Sequence, residues 1–198
     1  MEHYFTNNQN LKSEIRTIDF ENNGIVFTFF IDLGVFAKNQ IDSCSKLLVQ
    51  EVIKNTKNIT SVLDVGCGYG FIGIVLGKIL NSQITMIDIN KRAVHLCAKN
   101  IDKNKINGIV FESNLYENVK EKYDLVVTNP PIRAGKHVVL KILKEAKNYL
   151  NKNGELWFVI RKDQGVKSAI KEISDIYLTE VVKKDKGFYI VRAKTIDN

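Results

Sequence analysis

The chain has 198 residues, 44% hydrophobic and 26% charged, enough for one well-filled α/β domain with a small appendage. No apolar run approaches the roughly 18 residues of a membrane-spanning helix. Met1-Glu2-His3-Tyr4 leads into asparagines rather than the charged and then apolar segments of a signal peptide, so neither a membrane nor export is expected. The 29 Lys and Arg against 22 Asp and Glu leave a net charge of +7, which attracts polyanions such as nucleic acid.

In chain order, residues 1–13 are polar and carry no strand or helix pattern. Glu14–Phe20 and Ile25–Ile31 are β-prone runs joined through Glu21-Asn22-Asn23-Gly24, and the Asn-Gly pair predicts a hairpin. Leu33-Gly34-Val35-Phe36-Ala37-Lys38 reads as an apolar loop. Gln40–Asn55 reads as an amphipathic helix, because Ile41, Cys44, Leu47, Leu48 and Val52 recur at helical spacing and would face the core.

From residue 59 strands alternate with helices, the pattern of parallel βαβ units. The predicted strands are Thr60–Val65, Gln83–Ile89, Ile109–Glu112, Tyr123–Thr128 and Glu155–Ile160. The predicted helices are Phe71–Leu80, Lys91–Lys103 with Asn90 as its N-cap, Lys136–Leu150 and Gln164–Ser174. Asn153-Gly154 is expected to turn the third helix into its strand. Ile176–Val182 and Phe188–Ala193, joined by Lys183–Gly187, predict a closing antiparallel hairpin. One domain over 1–198 is expected, with 1–38 as an extension plus hairpin and 39–198 as the core.

One stretch organises this pattern. Val62-Leu63-Asp64-Val65 is an apolar strand with one carboxylate in it, and Gly66-Cys67-Gly68-Tyr69-Gly70 is a glycine turn before the apolar helix at Phe71. Such a turn lets a ligand lie on the backbone, and the helix start aims unpaired N–H groups at it. Gly68-Tyr69-Gly70-Phe71-Ile72-Gly73 matches the dinucleotide string GxGxxG, with Asp88 about 20 residues on. Asp64 through Gly70 equally matches D-x-G-x-G-x-G, the form of an S-adenosylmethionine site. A carboxylate near the end of a buried strand needs a partner, which a cofactor ammonium would supply. Capping of the next turn is the alternative.

In open α/β sheets ligands sit beyond the carboxyl ends of the strands, where Asp64, Asp88, Ser113-Asn114 and Asn129 all fall. Asp88 is placed to accept both hydroxyls of a ribose, and Asn114 to meet an adenine edge. In Asn129-Pro130-Pro131-Ile132 the prolines fix φ twice and extend the residue before them. The Asn129 side chain and Pro130 carbonyl are thus neighbouring acceptors that can orient one NH₂ group. Cys44, Cys67 and Cys97 have no CxxC spacing, which fits a reducing cytoplasm and predicts no metal site.

These residues resemble a class I S-adenosylmethionine-dependent methyltransferase of the N-P-P-[FYWI] type, in the small-domain group that contains the bacterial small-subunit rRNA guanine-N2 methyltransferases. The resemblance rests on Gly34-Val35-Phe36, Val62–Gly70, Asp88, Phe111–Asn114, Asn129–Ile132 and Asn153-Gly154-Glu155-Leu156. It implies a Rossmann-like fold with a seven-stranded, mostly parallel sheet, its last strand antiparallel. It also implies the cofactor S-adenosyl-L-methionine, held by Asp64, Gly66, Cys67, Gly68, Gly70, Asp88, Ile89, Ser113, Asn114 and Asn129. Asn129, Pro130, Pro131 and Ile132 would hold the target amine. The implied partner is RNA, either rRNA or the small ribosomal subunit. A cytoplasmic protein is expected, and the sequence leaves its oligomeric state open, with a monomer favoured.

Two departures matter. Relatives carry an aromatic ring where this chain has Ile132, so stacking on a flipped base would pass to another ring such as Phe36. Larger members carry a second, degenerate domain for which 198 residues leave no room, so RNA selection is expected from the hairpin and the basic surface. Other acceptors, adenine N6 or a protein glutamine amide, keep the cofactor. An NAD-dependent oxidoreductase using Gly68–Gly73 leaves Asp64 and Asn-Pro-Pro unexplained. A non-catalytic RNA-binding relative would have no use for an intact Asn-Pro-Pro.

Overall fold

The computed structural model describes residues 14–32 and 40–196; the expectations for 1–13, for the loop at 33–38 and for Phe36 lie outside the described residues. Strands β1 (Ile15–Asn22) and β2 (Ile25–Asp32) form the expected hairpin. Its turn residues Asn23 and Gly24 take φ of 51° and 79°, the left-handed pair that matches the twist of two antiparallel strands.

Helix α1 (Ser43–Asn55) starts later than the predicted Gln40, because Asp42 adopts extended backbone and its carboxylate accepts from the Ser45 N–H at 2.8 Å. That is an N-cap, which ends helical geometry on its N-terminal side. There follow β3 (Ser61–Val65), α2 (Phe71–Leu80), β4 (Gln83–Asp88), α3 (Lys91–Asn104), β5 (Gly108–Glu112), β6 (Tyr123–Thr128) and α4 (Lys136–Glu145). The chain closes with β7 (Leu150–Arg161), α5 (Val166–Glu172), β8 (Tyr177–Asp185) and β9 (Phe188–Thr195). Asn90 caps α3 as expected, its side chain accepting from the N–H groups of Arg92 and Ala93.

The main sheet has seven strands in the order β5-β4-β3-β6-β7-β9-β8, and β9 runs antiparallel to both of its neighbours. Asn153-Gly154 behaves differently from its predicted role. It lies inside β7, where pairing with β6 jumps from Tyr123–Leu150 to Leu125–Glu155. Asn153 has φ 65°, and a Cβ on Gly154 would lie 2.9 Å from the Tyr123 carbonyl, so the pair makes a bulge rather than a helix-to-strand turn.

One apolar layer joins α1, α2, α3 and the hairpin to one face of the sheet, and a second joins α4 and α5 to the other. α2 is buried from Phe71 through Gly77, and only its last turn, with Lys78, reaches the surface. A Cβ on Gly77 would fall 2.4 Å from Ile84 Cγ1, and glycine there lets helix and strand approach.

The hairpin is part of this core. Phe27 and Phe29 are buried, with the Phe29 ring edge-on to Tyr69 at 5.7 Å. The open edge of β2 is satisfied by α3. Asn100 Oδ1 accepts from Phe30 N (2.7 Å) and its Nδ2 donates to Phe30 O (3.0 Å), while Asn104 does the same for Thr28. Residues four apart on a helix and two apart on a strand share nearly the same rise, so two asparagines imitate a neighbouring strand.

At the opposite end of the sheet, Asp124 ties three strands together. It accepts from Thr60 N (2.9 Å), Thr60 Oγ1 (2.6 Å), Ser61 N (3.2 Å) and Asn151 Nδ2 (2.9 Å). Burial pushes its pKa up, but the bonds from Thr60, Asn151 and Ser61 outweigh it and bring the value down to about 2. A folded value below the ordinary one means stability gained at neutral pH and lost as pH falls through the folded value. Asp124→Asn should therefore lower stability near pH 7 by on the order of 1 kcal/mol after solvent screening. The gap to wild type should close between pH 4 and pH 2, as read by urea melts across that range. An unchanged gap at every pH would refute the assignment.

Candidate active site

The chain leaves β3 for β4 and β5 on one side, then returns to place β6 on the other. Strand order reverses between β3 and β6, and the crevice beyond their carboxyl ends is the place where such sheets bind ligands. Asp64 is the next-to-last residue of one strand and Asn129 follows the other. Thr128 Oγ1 donates to the Val65 carbonyl at 2.8 Å and holds the two ends together.

Gly66, Gly68 and Gly70 all have positive φ, at 73°, 58° and 92°. Gly66 N and Cys67 N both donate to Ile87 O, and Gly68 N donates to Asp88 Oδ2 at 2.9 Å. A Cβ on Gly66 would meet nothing within 4 Å, whereas one on Gly70 would fall 2.6 Å from Cys97 Sγ. Gly70 is thus required by packing on α3. Gly66 is required by its backbone angle and borders open space.

Asp64 is 1% exposed. Its Oδ2 accepts from the Gly73 N–H in the first turn of α2 at 2.9 Å, so the capping expected as an alternative occurs on one oxygen. Its Oδ1 is buried with no partner among the described residues. Burial pushes the pKa up to about 7, the Gly73 N–H opposes this and the Asp88 carboxylate adds to it. A buried acceptor left unsatisfied costs about 1–3 kcal/mol, more for a charged group. A cationic donor such as an α-ammonium group would satisfy it. The residues therefore fit the cofactor that the motif implies.

Asp88 is buried and does more than meet a ligand. Besides Gly68 N, it accepts from Asn90 N at 2.9 Å, so it clasps the glycine loop to the start of α3. Ile89 beside it is 38% exposed, an apolar face at the crevice end of β4. The Ser113 hydroxyl is committed to its own loop, donating to Leu115 O (2.7 Å) and accepting from Asn118 N (3.1 Å). Asn114 is exposed and donates to Glu117 Oε1. Burial, then the adjoining Cys97, pushes the Cys67 thiol up, which leaves it an apolar wall rather than a nucleophile.

Asn129 is half-buried and Pro130 buried. Beyond them Ile132–Ala134 make a 3-10 turn, with Ala134 N donating to Pro131 O. The Asn129 amide nitrogen lies 3.0 Å from Ser45 Oγ, 3.2 Å from Asp42 Oδ2 and 3.4 Å from Cys44 Sγ. The start of α1 therefore belongs to the site. Sequence reasoning placed Cys44 in the core, where it is, but assigned no part to Asp42 or Ser45. The only signal for them was an Asp–Ser capping pattern three residues apart.

Among the described residues no three His, Cys, Asp or Glu side chains gather as a metal site, and no helix is long and apolar enough to cross a membrane. Two open hollows lie elsewhere, one between the hairpin tip and α1 and one beside Lys78, Lys103 and Lys105. Neither is lined by a strand-end residue of the crevice.

Comparison with known proteins gives the family. Residues 26–192 match the family model described as "Methyltransferase small domain". The uncharacterized protein YbxB of Bacillus subtilis is 40% identical over 200 residues, covering 98% of this chain and 99% of that protein. The ribosomal RNA small subunit methyltransferase C of Haemophilus ducreyi is 35% identical over 131 residues, covering 64% of this chain and 40% of that protein. Among solved structures, the T. thermophilus 16S rRNA N2 methyltransferase in complex with AdoMet and guanosine superposes with a TM-score of 0.81. It is 20% identical, covering 93% of this chain and 52% of its own. The ribosomal protein L11 methylase of Lactobacillus delbrueckii superposes with a TM-score of 0.69 at 19% identity. The chain thus spans about half or less of the rRNA methyltransferases it matches, and nearly all of the Bacillus protein.

Proposed function

The chain belongs to the methyltransferase small domain family, and from that premise we propose that it methylates an exocyclic amine of a nucleobase, guanine N2 of small-subunit rRNA. The observation that carries the reading is the pair at the strand switch. A buried carboxylate oxygen of Asp64, unpartnered among the described residues, and the amide of Asn129 stand at the ends of adjacent strands. The first suits a cofactor ammonium and the second a target amine.

S-adenosyl-L-methionine is the cofactor, and when bound it supplies a methyl group already activated on a sulfonium. The protein's work is to orient. Asp64 would accept the ammonium, and the backbone at Gly66 would allow the cofactor to lie against the loop. Asp88 would accept ribose hydroxyls, with Ile89 against the purine and Asn114 at its edge. Asn129 Oδ1 and the Pro130 carbonyl accept from the target NH₂. The guanine N2 lone pair is delocalised into the ring, so these two acceptors must favour its rehybridisation out of plane. Holding reactants in attacking geometry contributes about 7–11 kcal/mol.

N2 lies at the shallow groove edge of RNA, but attack comes perpendicular to the base, where neighbours stack. The base must therefore be unpaired or flipped, with Ile132 as an apolar floor. The net charge of +7 favours RNA as partner. No proton relay is needed, because the amine grows more acidic as it is alkylated.

Nucleosides from 16S rRNA of a deletion strain test the proposal by mass spectrometry. One N2-methylguanosine should disappear and return with the wild-type gene, and should not return with Asn129→Ala. An unchanged nucleoside inventory would refute the rRNA guanine acceptor. A lost adenine methylation, or a glutamine methylation lost from the tryptic peptides of the same strain, would transfer the same chemistry to the sibling acceptors.

A further inference from the structure

We propose that Asp42, with Ser45, is a positioning residue that decides which end of the Asn129 amide faces the target amine. The inference rests on the reading of Asn129 as the acceptor for that amine.

An asparagine side chain ends in two groups of nearly equal shape, a carbonyl oxygen that accepts and an NH₂ that donates. Its terminal torsion is broad and roughly two-fold, so rotation by half a turn exchanges them. For orienting an amine the difference is total. Oδ1 toward the substrate accepts its N–H, while Nδ2 toward the substrate sets donor against donor. The prolines that follow fix the Asn129 backbone but do not act on this torsion. Another group must choose.

The start of α1 makes the choice. Asp42 Oδ2 lies 3.2 Å from Asn129 Nδ2 and Ser45 Oγ lies 3.0 Å from it. A hydroxyl can donate or accept, so Ser45 alone would tolerate either orientation. An ionised carboxylate only accepts, so the amide end that faces Asp42 has to be the NH₂. The reverse orientation would lose a charge-assisted bond and set two oxygens together. With both N–H groups engaged, Oδ1 is the end left for another donor.

Asp42 is itself held fast. Its Oδ2 accepts from Ser45 N at 2.8 Å and from the Cys44 thiol at 2.6 Å. Burial and then the Asp42 charge raise the Cys44 pKa, so the thiol keeps its proton and remains a donor. The positive end of α1 also favours the carboxylate. A helix cap 87 residues away in sequence from Asn129 thereby sets the polarity of the amine-binding loop.

The test separates this role from helix capping. Asp42→Ser keeps an N-cap residue and removes the carboxylate that faces Asn129. Wild type, Asp42→Ser, Asn129→Ala and the double variant are compared in single-turnover transfer of labelled methyl from S-adenosyl-L-methionine to 30S subunits of a deletion strain. Asp42→Ser should lose roughly tenfold or more in rate, with cofactor affinity and melting temperature near wild type. In the Asn129→Ala background the same change should cost no more than about twofold, because the group through which it acts is gone. Side-chain amide exchange in ¹⁵N-asparagine-labelled protein gives an independent readout, and the Asn129 Hδ2 protons should exchange faster in Asp42→Ser. An equal loss in both backgrounds, an unchanged rate, or unchanged exchange would overturn the inference. If Asn129→Ala is inactive and Asp42→Ser is not, only the positioning role fails. Full activity in Asn129→Ala would remove the amine-binding reading itself and this inference with it.

Discussion

Asn129→Ala should bind S-adenosyl-L-methionine almost as the wild type does and lose on the order of 10²–10³ in single-turnover rate, the cost of deleting one preorganised polar group at a transition state. Affinity is spared if, as proposed, the ammonium and ribose contacts belong to Asp64 and Asp88. The local fold is spared because Pro130 and Pro131 still hold the loop and Thr128 still joins β6 to β3. A purely structural role for Asn129 predicts another pattern: rate would fall only with the fraction unfolded, and melting temperature would fall with it. Measuring both on the same samples separates the two. Asn129→Asp, which from sequence alone promises a partial rescue because a carboxylate still accepts, looks different in the structure. It would remove both N–H donors and set a carboxylate 3.2 Å from Asp42 Oδ2, so it should perform no better than alanine. Substantial activity in the aspartate variant would contradict the contact with Asp42.

Asp64→Asn should act in opposite directions on stability and binding. The folded pKa of about 7 lies above the ordinary 3.8. A raised acid binds its proton more tightly when folded, so its contribution to stability declines as pH rises from about 4 to 7 and stays lost above that. The amide carries no charge to desolvate, and its oxygen can still accept from Gly73 N. Ligand-free Asp64→Asn should therefore melt higher than wild type at pH 8, by at most about 4 kcal/mol of unfolding free energy. Affinity should move the other way. Losing a carboxylate that meets an ammonium costs roughly 1.5–3 kcal/mol, a rise in Kd of tenfold or more. In wild type, affinity should increase from pH 6 to about 7.5 as Asp64 ionises, until the ligand's own amino group begins to lose its proton near 7.7–8.0. That slope should vanish in the variant. Calorimetric titrations at several pH values decide the matter, with NAD as a control that should not bind. Equal affinity in variant and wild type would place the ammonium elsewhere.

The features legible in the sequence are those set by short-range rules. Hydrophobic period and turn residues marked nearly every strand and helix, and α2 and β6 were placed with their observed ends. Gly66, Gly68 and Gly70 announced a loop with positive φ, because the missing Cβ acts on its own residue. The misplaced turn had a long-range cause. Asn153-Gly154 carries a turn signal, yet pairing of β7 with β6 on both sides of it absorbs the turn as a bulge.

Sequence alone therefore determined the alternation of elements, the glycine loop, the carboxylate within its strand and the stiff Asn-Pro-Pro, since each is written in neighbouring residues. Only the tertiary structure decided what these groups meet. It buried Asp88 behind Gly68, left one oxygen of Asp64 without a partner among the described residues, set Asn100 and Asn104 along β2 and brought the cap of α1 to the amide of Asn129. These contacts join residues far apart in the chain, and their distances follow from strand order and helix packing. Neither leaves a period or a spacing for the sequence to display.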